Sequence, residues 1–121
     1  EGNPEIKSRI KSVQQSLSRN RMIQEVPEAT VVVTNPTHIA VALKYDQGSK
    51  DSAPKIVAMG QRKIAQRIRE VATEAGVPII ENKPLARNLF KSLKVGMEIP
   101  AVFYQAVAEI LAKVFMMKKN R

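Results

Sequence analysis

The sequence has no cysteine, no tryptophan and a single histidine, His38. Without cysteine there are no disulfides, no thiolate metal sites and no thiol nucleophile, an inventory that suits a reducing compartment. One histidine excludes a histidine-rich metal centre within one chain, so neither metal nor cofactor is expected. Aromatic residues make up only 4% of the chain: Tyr45, Phe90, Phe103, Tyr104 and Phe115. Binders of single-stranded nucleic acid stack bases on aromatic rings, so the scarcity counts against that class. Long apolar runs are also missing. The longest stretch, from Ile99 to Met117, is interrupted by Pro100, Gln105, Glu109 and Lys113, and reads as a buried helix rather than a membrane span. The opening Glu1-Gly2-Asn3-Pro4 lacks the apolar segment of a secretory signal.

What the chain does have is a globular composition, 44% hydrophobic over 121 residues, enough for one domain with its own core. It also carries a formal charge of +9. Basic balance on this scale fits a nucleic acid, an anionic membrane surface, an acidic partner or simply a well-solvated surface.

Hydrophobic spacing sets out the elements. Asn3-Pro4 resembles a helix start, and Ile6, Ile10, Val13 and Leu17 follow on one face with polar residues between. So narrow a stripe does not secure a helix to a core; residues 1–25 read as a connector and 26–121 as the globular part. Val26-Pro27 ends the helix, and β-branched Thr30 to Thr34 reads as a buried strand. Ile39, Val41, Leu43 and Tyr45 alternate with smaller residues in a second strand, Asp46 to Ser52 is a polar loop, and Lys55 to Met59 is a third strand. Gly60 is expected to open an amphipathic helix with Ile64, Ala65, Ile68, Val71, Ala72 and Ala75 inward, and Arg62, Lys63, Arg67 and Arg69 on a basic outer face. Gly76 is the expected cap, Val77 to Ile80 a short edge strand, and together these form a parallel βαβ unit. Pro84 starts a short helix that buries Leu85, Leu89, Phe90 and Leu93 and ends at Gly96; Pro100 starts the last helix. The expected class is α/β, about four strands surrounded by helices.

Asn35-Pro36-Thr37-His38 lies between two strongly predicted strands. On pattern alone it is first an ordinary turn, because asparagine bonds its own backbone and proline fixes φ. It also holds a latent reaction. Asparagine usually decays when the following backbone nitrogen attacks its side-chain carbonyl, and proline has no N–H with which to begin that route. The side-chain amide nitrogen of Asn35 can instead attack the residue's own backbone carbonyl, closing a succinimide and expelling the nitrogen of Pro36. An amide is a weak nucleophile, but intramolecular alignment contributes roughly 7–11 kcal/mol towards such a barrier. His38 stands close enough in sequence to orient the amide or relay a proton, and Thr37 to hold the turn.

At these residues the sequence resembles the cytoplasmic domain of the bacterial type III secretion export-switch family, in which an Asn-Pro-Thr-His motif self-cleaves between its first two residues. The likeness runs from Val26-Pro27 through Val33 to His38, Val41-Ala42-Leu43, Ser52 to Lys55, Gly76 to Ile79 and Pro84 to Arg87. It continues through Ile99-Pro100 to Ala106–Leu111. Arg19 to Met22 and Ile68-Arg69-Glu70 resemble the flagellar branch more than the injectisome branch. The resemblance implies a domain beneath an inner-membrane export gate, attached to a membrane region through the N-terminal helix. It implies contacts with other export-gate proteins, secreted rod and hook subunits and the hook-length control protein, and a cut that changes the exported class from rod and hook to filament proteins. It further implies an apolar docking patch near Ala53, Pro54, Ala108 and Leu111, although Ala108 and Leu111 read equally as core. No coiled coil or strongly apolar edge is visible, so a monomer is expected.

Two other classes stay open from the residues. A small basic nucleic-acid-binding domain explains the charge but leaves Asn35 to His38 without a role. A hydrolase needs a recyclable nucleophile and base, for which one histidine and no cysteine leave few candidates. Self-cleavage occurs once per chain, so turnover of external substrates is not expected.

Overall fold

The structure is a computed structural model that describes residues 3–36, 38–48 and 52–119. It opens with helix α1 (Pro4–Glu25), capped by the Asn3 side chain, which accepts the Glu5 N–H at 2.9 Å. None of its residues is buried, and Ile6, Ile10, Val13 and Leu17 are each more than half exposed. Its last turn packs on the body of the protein, where Met22 and Ile23 lie against a buried cluster. A short 3-10 turn (Val26–Glu28) follows and buries Val26 completely.

The sheet contains β1 (Val31–Asn35), β2 (Ile39–Lys44), β3 (Lys55–Gln61) and β4 (Ile79–Glu81) in the order β3-β2-β1-β4. β1 pairs antiparallel with β2, β2 antiparallel with β3, and β1 parallel with β4. β1, β3 and β4 therefore point the same way. The β3–helix–β4 connection is parallel, as expected, but its strands are not neighbours, because β4 pairs with β1 instead.

Strand alternation explains the layers. Val31, Val33, Ile39, Val41 and Leu43 face one side, against α3 (Lys83–Ser92) and α4 (Tyr104–Lys119), where Leu85, Leu89, Val107, Ile110 and Val114 are buried. The opposite side presents Val32, Ala40, Ala42 and Ala58 to α2 (Lys63–Ala75), which contributes Ala65, Ile68 and Ala72. Small residues on both partners let this helix approach closely, and the bulk sits on the other face. Each fully buried valine, leucine or isoleucine contributes about 1.5–3 kcal/mol of transfer free energy.

Several sequence expectations need correction. Gly60 does not open α2; it is paired with Ala40 inside β3, and a Cβ there would overlap the Ile64 side chain. α2 begins at Lys63, after Arg62, whose φ of 57° and ψ of −121° are unusual for a residue with a side chain. Gly76 caps α2 in the left-handed conformation, as expected. α3 ends at Ser92 rather than Gly96, and the Asn82 side chain, which accepts the Leu85 N–H at 3.1 Å, caps its start. Arg69 is half-buried instead of exposed, and Ala75 is exposed. α4 is a surface helix: it buries Val107, Ile110, Leu111 and Val114 and leaves most other positions open.

Candidate functional site

Asn35 is the last residue of β1 and pairs with Ile39, the first of β2, so Asn35 and His38 stand at the hairpin turn between the two strands. The His38 N–H donates to the Asn35 carbonyl oxygen at 3.0 Å. That bond closes a turn over four residues and polarises the carbonyl that a cyclising Asn35 would attack. Asn35 and Pro36 are half-buried, and His38 is exposed. Thr37, the remaining expected residue of the motif, lies outside the described residues.

The elements on either side hold the turn in place. The Arg62 N–H donates to the His38 carbonyl at 3.0 Å, extending the β2–β3 ladder beyond Gln61. The Asn82 N–H donates to the Thr34 carbonyl at 2.9 Å. Arg62 is the residue before α2 and Asn82 the residue before α3, so both helices start at the sheet end that carries the turn. Helix N-termini bear partial positive charge, which favours negative charge developing at this end of the sheet. The sequence reading missed both residues. Asn82 was readable from Asn82-Lys83-Pro84, a cap followed by an early helical proline; nothing marked Arg62.

Ala53, Pro54, Ala108 and Leu111 do come together. They line one groove of about 580 Å³ with Tyr45, Tyr104, Val107 and Phe115. Ala108 is exposed on its wall, whereas Leu111 is 6% exposed and belongs mainly to the core. The Tyr45 and Phe115 rings approach with centroids 6.5 Å apart and a tilt of 41°. The sequence reading did not assign the aromatic residues to the groove, yet Tyr104, Ala108, Leu111 and Phe115 recur at helical spacing. The groove opens beside Tyr45, beyond the far end of β2. The length of β2 places it about 20 Å from the turn.

Among the described residues no cluster of histidine, aspartate and glutamate is arranged to hold a metal ion. No helix among them is long and apolar enough to cross a membrane.

A family model described as the FlhB HrpN YscU SpaS family matches residues 1–114. The chain belongs to that family. It is 53% identical over 120 residues to the flagellar biosynthetic protein FlhB of Aquifex aeolicus, covering 99% of this chain and 34% of that protein. It is 49% identical over 121 residues to FlhB of Escherichia coli K12, covering 100% of this chain and 31% of that protein. The chain thus spans about a third of the length of these FlhB relatives. Among solved structures, the cytoplasmic domain of FlhB from Shewanella putrefaciens matches with a TM-score of 0.79 and 41% identity, covering 84% of this chain and 78% of that one. An EscU C-terminal domain carrying an asparagine-to-alanine substitution matches with a TM-score of 0.72 and 32% identity, covering 77% and 92%. The sheet and flanking helices are the common architecture of these export-family domains.

Proposed function

We propose that this chain is the export-switch domain of a flagellar type III secretion apparatus and that it cuts itself between Asn35 and Pro36. The observation that carries the chemistry is the turn: the carbonyl to be attacked already accepts a hydrogen bond from the His38 N–H at 3.0 Å, and its two strands fix it in place.

The reaction proceeds within Asn35. The side-chain nitrogen Nδ2 forms a bond to the backbone carbonyl carbon, and the carbonyl oxygen takes up negative charge as the carbon becomes tetrahedral. The His38 N–H stabilises that oxygen. Collapse breaks the bond to the Pro36 nitrogen, which leaves with the proton given up by Nδ2. His38, exposed at the turn, relays that proton through its imidazole or through water. One product ends in a succinimide at residue 35 and the other begins with the free secondary amine of Pro36. Water later opens the ring.

The wider role rests on family membership and on flagellar relatives that match the chain along its whole length. In this reading α1 is the connector to an inner-membrane region, residues 26–121 are the working domain, and the domain meets export-gate proteins and the hook-length control protein. Export subunits dock in the groove of Ala53, Pro54, Ala108 and Leu111, and the cut permits the change from rod and hook to filament export.

The test is the denatured mass of the chain during incubation, beside Asn35→Ala. The expected products are residues 1–35 and 36–121, formed only when Asn35 is present and copurifying until denatured. A chain that stays whole under all conditions overturns the reading.

A further inference from the structure

Helix α1 carries an apolar stripe that the rest of the protein leaves uncovered, and the charges beside it select a partner. Ile6, Ile10, Val13 and Leu17 are 55%, 52%, 57% and 55% exposed. A different side of the helix faces the sheet, where Lys11, Gln15, Ser18, Arg19 and Met22 line the space against β3. The stripe therefore looks outward. Its steps of four, three and four are those of the narrow seam along which two helices pair, each side chain entering a hole on the facing helix. We infer that this seam receives a single acidic amphipathic helix from another protein. About two heptads are too few for a self-standing coiled coil, in keeping with a monomer. They nonetheless span about 17 Å, enough for roughly three turns of a partner helix to lie along them.

At about 100° per residue, Lys7 and Arg21 border the seam on one side and Arg9 on the other. The two carboxylates of α1, Glu5 and Glu25, stand at its ends. A second copy would bring cations against cations or neutral side chains in either direction, and like charges across a helix seam repel. Glutamates flanking the seam of a partner helix meet all three cations instead. An anionic lipid surface also attracts cations, but helices that lie in such a surface present a wide apolar face with bulky or aromatic side chains. α1 offers a narrow line of aliphatic side chains and no aromatic residue. The helix is also formed in advance. Asn3 caps its start, and Met22 and Ile23 hold its last turn, so binding orders only the partner.

The probe is a fluorescein-labelled peptide of about three heptads, with isoleucine and leucine along its seam and glutamate at both flanking positions. Its glutamates repel one another and keep it single. It is titrated into the chain and followed by fluorescence anisotropy and circular dichroism. Saturable binding is expected, with a gain of helix as the peptide orders and a weakening at higher salt. I10Q combined with V13Q is expected to weaken binding by at least about tenfold, and K7E combined with R9E by about tenfold. All four side chains are exposed, so the free variants should keep the native circular dichroism spectrum. The same peptide with lysine in place of glutamate is expected not to bind. The inference is overturned by absence of binding, by undiminished binding to either double variant, or by equal binding of the lysine peptide. Tighter association with phosphatidylglycerol vesicles than with the peptide also overturns it and assigns the stripe to lipid. Self-association that disappears in I10Q with V13Q, seen by sedimentation, overturns it in favour of a second copy.

Discussion

Pro36 decides which of two ring closures is open to Asn35. With no N–H at residue 36, the following nitrogen cannot attack the side chain, and the only cyclisation left is the one that cuts the backbone. Pro36→Ala restores the N–H. The expected outcome is that part of the chain deamidates at Asn35 instead of being cut, seen as an acidic shift on isoelectric focusing with a reduced fragment yield. Normal fragment yield from this variant would mean that the cut does not depend on the imino nitrogen. Arg62 is the second residue of interest, because its φ of 57° places a side chain where glycine is favoured. Its N–H, which grips His38, is kept when the side chain is removed. Arg62→Gly should therefore raise stability by about 1 kcal/mol in urea denaturation, measured in an Asn35→Ala background. A loss of stability would show that the side chain makes contacts that outweigh the backbone strain. The motif was legible in the sequence because its chemistry is local to adjacent residues. Arg62 was not, since its dihedral angle arises where β3, paired to β2 through Gly60 and Gln61, runs directly into a helix.

At the scale of elements, pattern and structure agree where the signal is periodic. Strands β1 and β2, the apolar face of α2 and the left-handed Gly76 all follow from residue spacing. The reading failed where pairing extends an element beyond its local signal: Gly60 looks like a helix boundary, but the ladder to Ala40 carries β3 through it. In α4 the apolar residues are too numerous for a single core contact, and the buried face is limited to Val107, Ile110, Leu111 and Val114. Helix α1 and the turn after it give a direct comparison. Leu17 is 55% exposed and Val26 fully buried. Leu17→Gln should leave stability within about 0.5 kcal/mol, whereas Val26→Ala should reduce it by about 2 kcal/mol. Equal effects in thermal unfolding would contradict the separation between an exposed α1 and the packed body.

Across the whole molecule, the turn and the groove of Ala53, Pro54, Ala108 and Leu111 occupy opposite ends of β2. The groove was legible only through resemblance, since Ala53-Pro54 and Ala108 to Leu111 are far apart in sequence and no periodicity joins them. Their distance from the turn, about 20 Å along the strand, separates the proposed cut from the proposed docking. Ala108→Glu, at an exposed position, should weaken docking yet cleave at the native rate, as followed by denatured mass. A slowed cut in a folded variant would reveal coupling between the two ends.

The central place of β1 has a mechanical consequence. Tension applied along α1 reaches the remainder of the molecule through the packing of Met22, Ile23 and Val26 and then through β1, the strand flanked by β2 and β4. While the backbone is whole, that tension continues through the Asn35–Pro36 bond. With the proposed cut made, the same load falls on the two hydrogen-bond ladders beside β1, both pulled lengthwise. Ladders loaded in that direction must slide as a unit rather than open one rung at a time, so the cut replaces a covalent link with a slip joint that holds under gentle pull and parts abruptly above a threshold force.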